Sequence, residues 1–336
     1  MGRAYAIALN AFREAVRDRV LFAILGIALA SLAFGVSLAW LSVTEEVRVL
    51  VDHGLVTLSW LSNIAAIFLG ASFLYKEIEL RTLYVILAKP ISRWEFLLGR
   101  YLGIVATATV FTAVTTSVLL ILLNVVVAES TVGSGTGALI ALLRRSRSTR
   151  TLVLLLVPVV LFAIARLAKR IPALVRVRDA LAGAGALIGS VSVFAAIAIA
   201  SAPVAPDEVL YITLGATMVL LEVCVTAAMA TLVSSFSTPF VTAALSLGFF
   251  LIGRSTGSIL ELRSRQLSPA LLRVMQGLAE VFPNLYLYVP TRQVLPSSLP
   301  ASALLLYVGQ LALYAAFYAA LFVAIASRIF RKRDLT

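Results

Sequence analysis

The dominant pattern along the chain is a series of long apolar runs separated by short charged segments. Six runs are candidates for helices that cross a membrane, because a helix needs about 20 apolar residues to span the hydrocarbon core. They cover residues 20–41, 55–75, 101–128, 209–233, 240–253 and 303–326. Two further apolar runs, 151–165 and 181–202, flank a basic segment and are candidates for extra spans.

The apolar runs favour helices over a membrane barrel. They consist mainly of Leu, Ala, Val and Ile, without the alternation of polar and apolar residues that marks barrel strands. A spanning helix satisfies its backbone hydrogen bonds internally, as the lipid environment requires. We therefore predict an all-α polytopic transmembrane helix bundle. It forms a single domain over residues 1–336, with about six core spans and two extra candidates.

The first 19 residues predict an amphipathic helix that lies along the membrane interface. Tyr5, Leu9, Phe12 and Val16 recur at helical spacing, while charged residues occupy other parts of the wheel. The apolar run that follows is long enough to span and lacks the cleavage site of a signal peptide. We therefore expect the first span to be retained.

Composition and charge support this class and suggest a topology. The chain is 61% hydrophobic and 13% charged, with a mean hydropathy of +1.02. Its net charge of +12 fits the retention of Lys and Arg on the cytoplasmic side of a bilayer, so it does not require nucleic acid. Eight spans with both termini cytoplasmic fit the charges best, since this topology places 18 of the 28 Lys and Arg inside. The four arginines within 144–150 do not fit, which leaves open whether 151–165 and 181–202 span.

Few side chains are suited to catalysis or metal binding. The chain has one cysteine, Cys224, and one histidine, His53, and we interpret both as structural. A single cysteine excludes an internal disulfide and a cysteine-based zinc or iron–sulfur site. The glycine-rich stretch 133–137 lacks the lysine of a phosphate-binding loop. We expect no catalytic residue, cofactor or metal on this chain, and an intramembrane enzyme would need a buried catalytic set that is missing.

Charge is concentrated in residues 76–100, between the second and third predicted spans. Apolar side chains recur there at helical spacing, at Leu80, Leu83, Tyr84 and Leu87. Lys89 precedes Pro90 and should end this helix, because a residue before proline avoids the helical region. Ser92 and Glu95 then have the spacing of a capping box that starts the third span. The pattern predicts a short helix joined rigidly to two membrane helices; the alternative is a solvated loop on the membrane surface.

One carboxylate, that of Glu222, falls near the middle of the predicted span 209–233. A charge at that depth is costly unless it is paired, protonated or next to water, so Glu222 is an intramembrane candidate for function. The alternative is a hydrogen-bonded acid that holds helices together. The sequence names no partner for it.

The order of these elements resembles that of the membrane subunits of ATP-binding-cassette exporters of the second permease class. An amphipathic helix ending in FREAVRDRVLF, a span, an acidic outer loop and a second span precede the segment KEIELRTLYVILAKPISRWEFLLGRYLG and a third span. The later segments TLVSSFSTPFVTAALSLGFFLIG and SPALLRVMQGLAEVFPNLYLY are similar to the C-terminal half of that family. The resemblance covers residues 1–128 and 206–336, and 135–205 is an unplaced insertion.

The resemblance implies a transport subunit without its own nucleotide site. It implies a homodimer in the prokaryotic plasma membrane that exports an unknown substrate. Two separately encoded ATPase subunits would bind ATP and Mg, and membrane lipid and an accessory protein are further partners. The segment 76–100 would dock on the ATPase as a coupling helix, through Lys76, Glu77, Glu79, Arg81, Leu83, Tyr84 and Lys89. The extracytoplasmic segment 254–301 would contain an outer cap helix with Leu271, Met275, Leu278 and Phe282 on one face; the alternative is an interfacial helix with no gating role.

Two other functions stay open at this stage. A secondary transporter should carry several intramembrane charges near broken helices, whereas the predicted spans offer only Glu222. A force-transmitting membrane scaffold, driven by a partner ATPase, would use the same segment 76–100, which we call the elbow, without passing a substrate. Dependence on a partner ATPase separates the exporter from the secondary transporter.

Overall fold

The chain folds as a helix bundle in a computed structural model, which describes residues 2–16, 18–42, 44–79, 92–132, 187, 189–195, 197–199, 205–261, 273–274, 277, 282–289 and 301–332. Within these ranges it is almost entirely helical and contains no strand. Six helices are long and apolar enough to cross a membrane. The protein is therefore a multi-pass membrane protein, and the predicted all-α polytopic bundle is confirmed.

The main helices in chain order are α1 Gly2–Ala15, α2 Arg19–Leu41, α3 Glu46–Glu79, α4 Arg93–Val132, α5 Pro206–Ser234, α6 Pro239–Glu261 and α7 Ala301–Lys332. A 3₁₀-helix, Leu285–Tyr288, lies between α6 and α7 in sequence. Helices α2 to α7 are the six candidate spans. The described part of the run 181–202 includes a shorter apolar helix, Gly189–Ile199. The other extra candidate, 151–165, lies outside the described residues.

Helix α3 begins earlier than the apolar pattern predicts. It starts at Glu46, so most of the predicted acidic loop before residue 55 is helical. Arg48 lies 3.0 Å from a carboxylate oxygen of Glu45 and 3.8 Å from one of Asp52, at helical spacings of three and four residues. Such pairs on one helix face stabilise a helix in water. Hydropathy indicates where the apolar segment begins, whereas the helix itself begins earlier, in the charged residues before that segment.

The amphipathic helix at the N-terminus ends earlier than predicted. The predicted segment 1–19 contains α1, which ends at Ala15, and the first residue of α2. Asp18 separates them, since its backbone is extended and its carboxylate accepts a hydrogen bond from the Val20 amide at 2.9 Å. An aspartate at this position caps the exposed amides of a new helix. The chain can therefore change direction between α1 and α2.

The contacts divide the chain into two compact units. Unit 1 consists of Met1–Ala11, Asn63–Val105 and Met218–Thr336, and unit 2 of Phe12–Ser62 and Ala106–Thr217. In unit 2, α2 is joined to α3 by polar side chains. The His53 imidazole Nε2 lies 3.0 Å from the Ser31 carbonyl, and the Ser31 hydroxyl lies 3.0 Å from that of Thr57. These bonds give His53 a structural environment.

Helix α4 carries hydroxyl side chains in the middle of its apolar span. Thr112, Thr115, Thr116 and Ser117 are buried, and each donates to the backbone carbonyl four residues earlier. Bonding within the helix satisfies a hydroxyl group that has no water available. The polar run therefore does not interrupt the span.

In unit 1, α3 and α5 approach each other closely at Gly70. A Cβ atom built on Gly70 would lie 2.6 Å from the Ala230 Cβ, well inside van der Waals contact. Only a residue without a side chain fits there, and small residues at such crossings let membrane helices pack tightly. The contact fixes the separation of these two helices.

We expect Gly70→Leu to lower the free energy of unfolding by about 1–3 kcal/mol, because the added side chain forces α3 away from α5. Gly26→Leu on α2 is the matched control, since nothing lies within 4 Å of a Cβ built there. Denaturation of the purified chain in detergent measures both variants. Equal stability of the two would contradict the close packing.

Candidate functional site

The candidate intramembrane residue, Glu222, is fully buried in α5 and paired with an arginine. One guanidinium nitrogen of Arg254, Nη1, lies 3.0 Å from one carboxylate oxygen of Glu222 and 3.3 Å from the other. The Arg254 side chain is 12% exposed and that of Glu222 is 0% exposed. The guanidinium carbon also lies 5.7 Å from the centre of the Phe250 ring. The carboxylate is thus compensated inside the protein.

The chain brings these two charges together through a helical hairpin. Helix α5 ends at Ser234 and α6 begins at Pro239, after a short turn in which the hydroxyls of Ser237 and Thr242 lie 2.6 Å apart. Glu222 is about 18 Å from the end of α5, and Arg254 is about 22 Å from the start of α6. The two residues therefore reach similar depths on neighbouring helices.

The apolar pattern did not predict Arg254 as part of the span, because the apolar run ends at residue 253. The structure continues α6 to Glu261, which brings Arg254 from the predicted extracytoplasmic segment into the candidate span. The sequence did contain a signal for this pair, since Glu222 and Arg254 lie at similar distances from the turn between their helices. An acid and a base at matched depth in one hairpin are expected to pair, since each alone is costly in lipid.

Beyond Arg254, α6 packs against residues 282–289, which we call the 282–289 segment. A Cβ built on Gly253 would lie 2.8 Å from the Pro283 carbonyl oxygen, and one on Gly257 would lie 2.7 Å from the Tyr286 ring. Phe282 is the described member of the predicted outer cap helix, and its ring centre lies 4.6 Å from that of Phe249. The other members, Leu271, Met275 and Leu278, lie outside the described residues.

The 282–289 segment is in turn held by tyrosines. The buried Tyr288 phenol donates to the Leu311 carbonyl of α7 at 3.0 Å. The Asn284 amide donates to the Tyr314 hydroxyl of α7 at 2.9 Å. Burial raises the pKa of the Tyr288 phenol far above its usual range, and the nearby Tyr314 phenol contributes. Tyr288 is therefore a neutral hydrogen-bond donor that joins the segment to α7.

A second cluster lies where α1, α4, α5 and α7 meet. We call it the base cluster, and it consists of Phe96, Leu97, Ala326 and Phe330 with Ile7 and Leu232 packed against it. A Cβ built on Gly99 would lie 2.7 Å from the Ala4 carbonyl oxygen, so α1 crosses α4 in direct backbone contact. The N-terminal helix and the end of the last helix thus share one apolar cluster.

The predicted coupling residues fall at the edge of the described chain. The backbones of Lys76, Glu77 and Glu79 belong to the last turns of α3, which continues without a break from its span. The remaining four, Arg81, Leu83, Tyr84 and Lys89, lie outside the described residues.

The predicted capping box at the start of α4 is formed in part. The Glu95 carboxylate accepts from the Ser92 amide at 3.2 Å, as expected, and from the Ser92 hydroxyl at 2.6 Å. The hydroxyl therefore donates to Glu95 instead of accepting from a backbone amide. Both bonds fix the first turn of α4.

A tyrosine of α4 is bonded to the backbone of α5 near Glu222, and the described residues offer no group suited to a metal ion. The Tyr101 hydroxyl of α4 donates to the carbonyl of Cys224 at 3.3 Å, two residues along α5 from the buried acid. Within the described ranges, no three His, Cys, Asp or Glu side chains come together in a group that could hold a metal ion.

No protein-family model matches the chain. A search of curated proteins gives no match either.

Removing one member of the ion pair should be more harmful than removing both. We expect Glu222→Leu or Arg254→Leu to lower the free energy of unfolding by about 3–5 kcal/mol, because each leaves an uncompensated buried charge. The double variant should recover most of that loss. Denaturation of the four proteins in detergent gives the coupling energy.

The matched control for this cycle is Asp207→Leu, which removes an exposed carboxylate from the first turn of α5. It should change stability by less than about 1 kcal/mol. Additive losses in the double variant would contradict a direct pair.

Proposed function

We propose that this chain is the membrane-spanning permease subunit of an ATP-driven exporter and is driven by a separately encoded ATPase. The observation that carries the proposal is the short connection between two long helices, since α3 continues to Glu79 and α4 begins at Arg93. The Ser92–Glu95 bonds fix the entry into α4. A charged connector between two stiff helices is suited to receive movement from a soluble partner. The family resemblance of the sequence supports the same assignment.

The base cluster supports a common side for both termini and the elbow. Ile7 near the N-terminus and Phe330 near the C-terminus pack with Phe96, which lies four residues after Ser92. Arg93 and Arg328 lie in these same ends of α4 and α7. Because Lys and Arg are retained on the cytoplasmic side, we assign this side to the cytoplasm of a prokaryotic cell.

The length of α3 supports a mechanical role for this chain. Lys76, Glu77 and Glu79 lie on the last turns of a helix of 34 residues, which is about 51 Å long. A displacement applied there moves the span directly, without a flexible linker. In this proposal ATP and Mg bind to the two partner ATPase subunits, and the chain itself converts their movement into export.

Helix α6 supports a second copy of the chain as a partner. It has the lowest mean hydropathy of the six candidate spans, although only 28% of its span is buried inside the chain. Ala244 and Ser255 are exposed, and nothing lies within 4 Å of a Cβ built on Gly248. Small and hydroxyl residues suit close packing between membrane helices better than contact with lipid. We therefore propose that α6 of one copy packs against α6 of the other.

A secondary transporter is the second candidate, and the Glu222–Arg254 pair favours it. Charges at mid-depth are typical of ion and substrate pathways in such transporters. The two functions differ in their energy source. Transport by the purified chain under an ion gradient, without any ATPase, would support this second candidate.

Charge reversal in the elbow should uncouple the ATPase. We expect Glu77→Arg to weaken co-purification of the partner ATPase by about tenfold or more, because like charges at an interface cost several kcal/mol. ATP hydrolysis by the intact membrane complex should fall with it. Quantitative co-purification and an ATPase assay measure the two effects.

The matched control is Glu46→Arg, which reverses a charge in the first turn of the same helix, at the opposite end from the elbow. It should leave association and hydrolysis unchanged. Unchanged association of Glu77→Arg, or ATP hydrolysis by the purified chain alone, would contradict the proposed function.

The second copy is tested by cross-linking in a Cys224→Ala background. We expect Gly248→Cys to form a disulfide-linked dimer in the membrane, because a residue near a two-fold axis meets its own copy. Gly26→Cys on α2 is the control and should remain monomeric, although a Cβ there is equally open. Equal cross-linking of both, or of neither, would contradict the α6 interface.

A further inference from the structure

Helix α7 is attached to the start of α4 through Arg93, the first residue of that helix. The Arg93 Nη1 donates to the Phe330 carbonyl at 2.8 Å, and its guanidinium carbon lies 5.9 Å from the centre of the Phe330 ring. Phe330 is in the last turn of α7, where backbone carbonyls lack partners within the helix. An arginine from another helix therefore caps this end of α7.

Stacked rings extend this attachment. The Phe330 ring stacks on that of Phe96, with centres 6.1 Å apart and planes at 16°. The Arg100 guanidinium carbon lies 5.4 Å from the centre of the Phe96 ring on α4. The two stacked phenyl rings of the α4–α7 contact are thus flanked by one guanidinium group on each side, and cation–π attraction adds to apolar burial. The first two turns of α4 and the last turn of α7 form one packed body.

The other attachment of α7 lies near its opposite end. Its Tyr314 hydroxyl accepts from the Asn284 amide, and its Leu311 carbonyl accepts from the Tyr288 phenol. Tyr307 donates to the Leu287 carbonyl at 3.1 Å. Three hydrogen bonds therefore join α7 to the 282–289 segment, which packs on α6 next to Arg254.

The stretch of α7 between these attachments is stiff. Phe330 and Tyr314 are about 24 Å apart along the helix. No glycine or proline occurs between them, so neither common cause of a kink is present. The span of α7 is also the least buried of the six candidates in the described chain, so neighbouring helices restrain its middle little.

We propose that α7 is a transmission rod that carries displacement of the elbow to the 282–289 segment and so to α6. When the elbow moves α4, Arg93 and Phe96 move the end of α7, and the tyrosines move the segment at its far end. The ATPase is the source of the movement only if the proposed function is correct. The mechanical link between the two ends belongs to this chain alone.

Hydrogen exchange of the full chain in lipid nanodiscs, without any ATPase, tests the link. Arg93→Ala should raise amide exchange across 284–289 by about tenfold, a typical size for coupling between two sites. Arg328→Ala is the matched control, because it removes an exposed arginine from the same end of α7 and should leave 284–289 unchanged. Arg93→Lys keeps a donor but loses the planar stack, and we expect an intermediate increase.

Coupling must also act in the reverse direction, because linkage is reciprocal. Tyr314→Phe should raise exchange across 93–100 relative to Tyr5→Phe, which changes an exposed tyrosine of α1. An increase confined to the mutated end, or a uniform increase over all helices in both Arg93 variants, would overturn the proposal. No ATPase takes part in the exchange experiment. Its result therefore does not depend on whether Glu77→Arg affects a partner.

Discussion

The hydrocarbon core offers no water to a buried polar group, and the described part of the bundle is arranged around that constraint. Hydroxyls of α4 bond to carbonyls of their own helix. The Glu222 carboxylate, which is fully buried, meets the Arg254 guanidinium on the adjacent helix. A charge left alone at this depth costs several kcal/mol, so the pair restricts how α5 and α6 are oriented. Polar chemistry here determines which helix faces meet.

The same constraint explains what the sequence could predict. The class of fold follows from hydropathy, because each spanning segment must satisfy its backbone locally and that requirement is visible in every apolar run. Helix ends were predicted less well, since α3 begins within the charged residues before its apolar run and α6 continues past Arg254. The Ser92–Glu95 bonds were predictable because the two residues are neighbours on the first turn of one helix. Rules that relate neighbouring residues were sufficient to predict the fold class and the Ser92–Glu95 bonds.

Contacts between distant residues could not be predicted in this way. Arg254 was missed as the partner of Glu222 because the span was ended one residue too early. The base cluster joins Ile7, Phe96 and Phe330, and no local spacing relates three residues so far apart in the chain. Each has an ordinary pattern in its own helix, and only the folded arrangement brings them together. The acceptor of the Arg93 bond is a backbone carbonyl of α7. Because almost any residue could supply such a carbonyl, the type of the acceptor residue does not indicate the bond.

The ion pair also limits where a substrate could pass if the chain is an exporter. A path between α5 and α6 would separate Glu222 from Arg254, and breaking a buried pair costs about 3–5 kcal/mol with nothing gained in lipid. The 282–289 segment adds a second restraint, because Gly253 and Gly257 leave it in direct contact with α6. Movement that keeps α5, α6 and this segment together avoids both costs. An ATP-driven cycle is therefore expected to move the α5–α6 hairpin as one body, with the pathway opening along another of its faces.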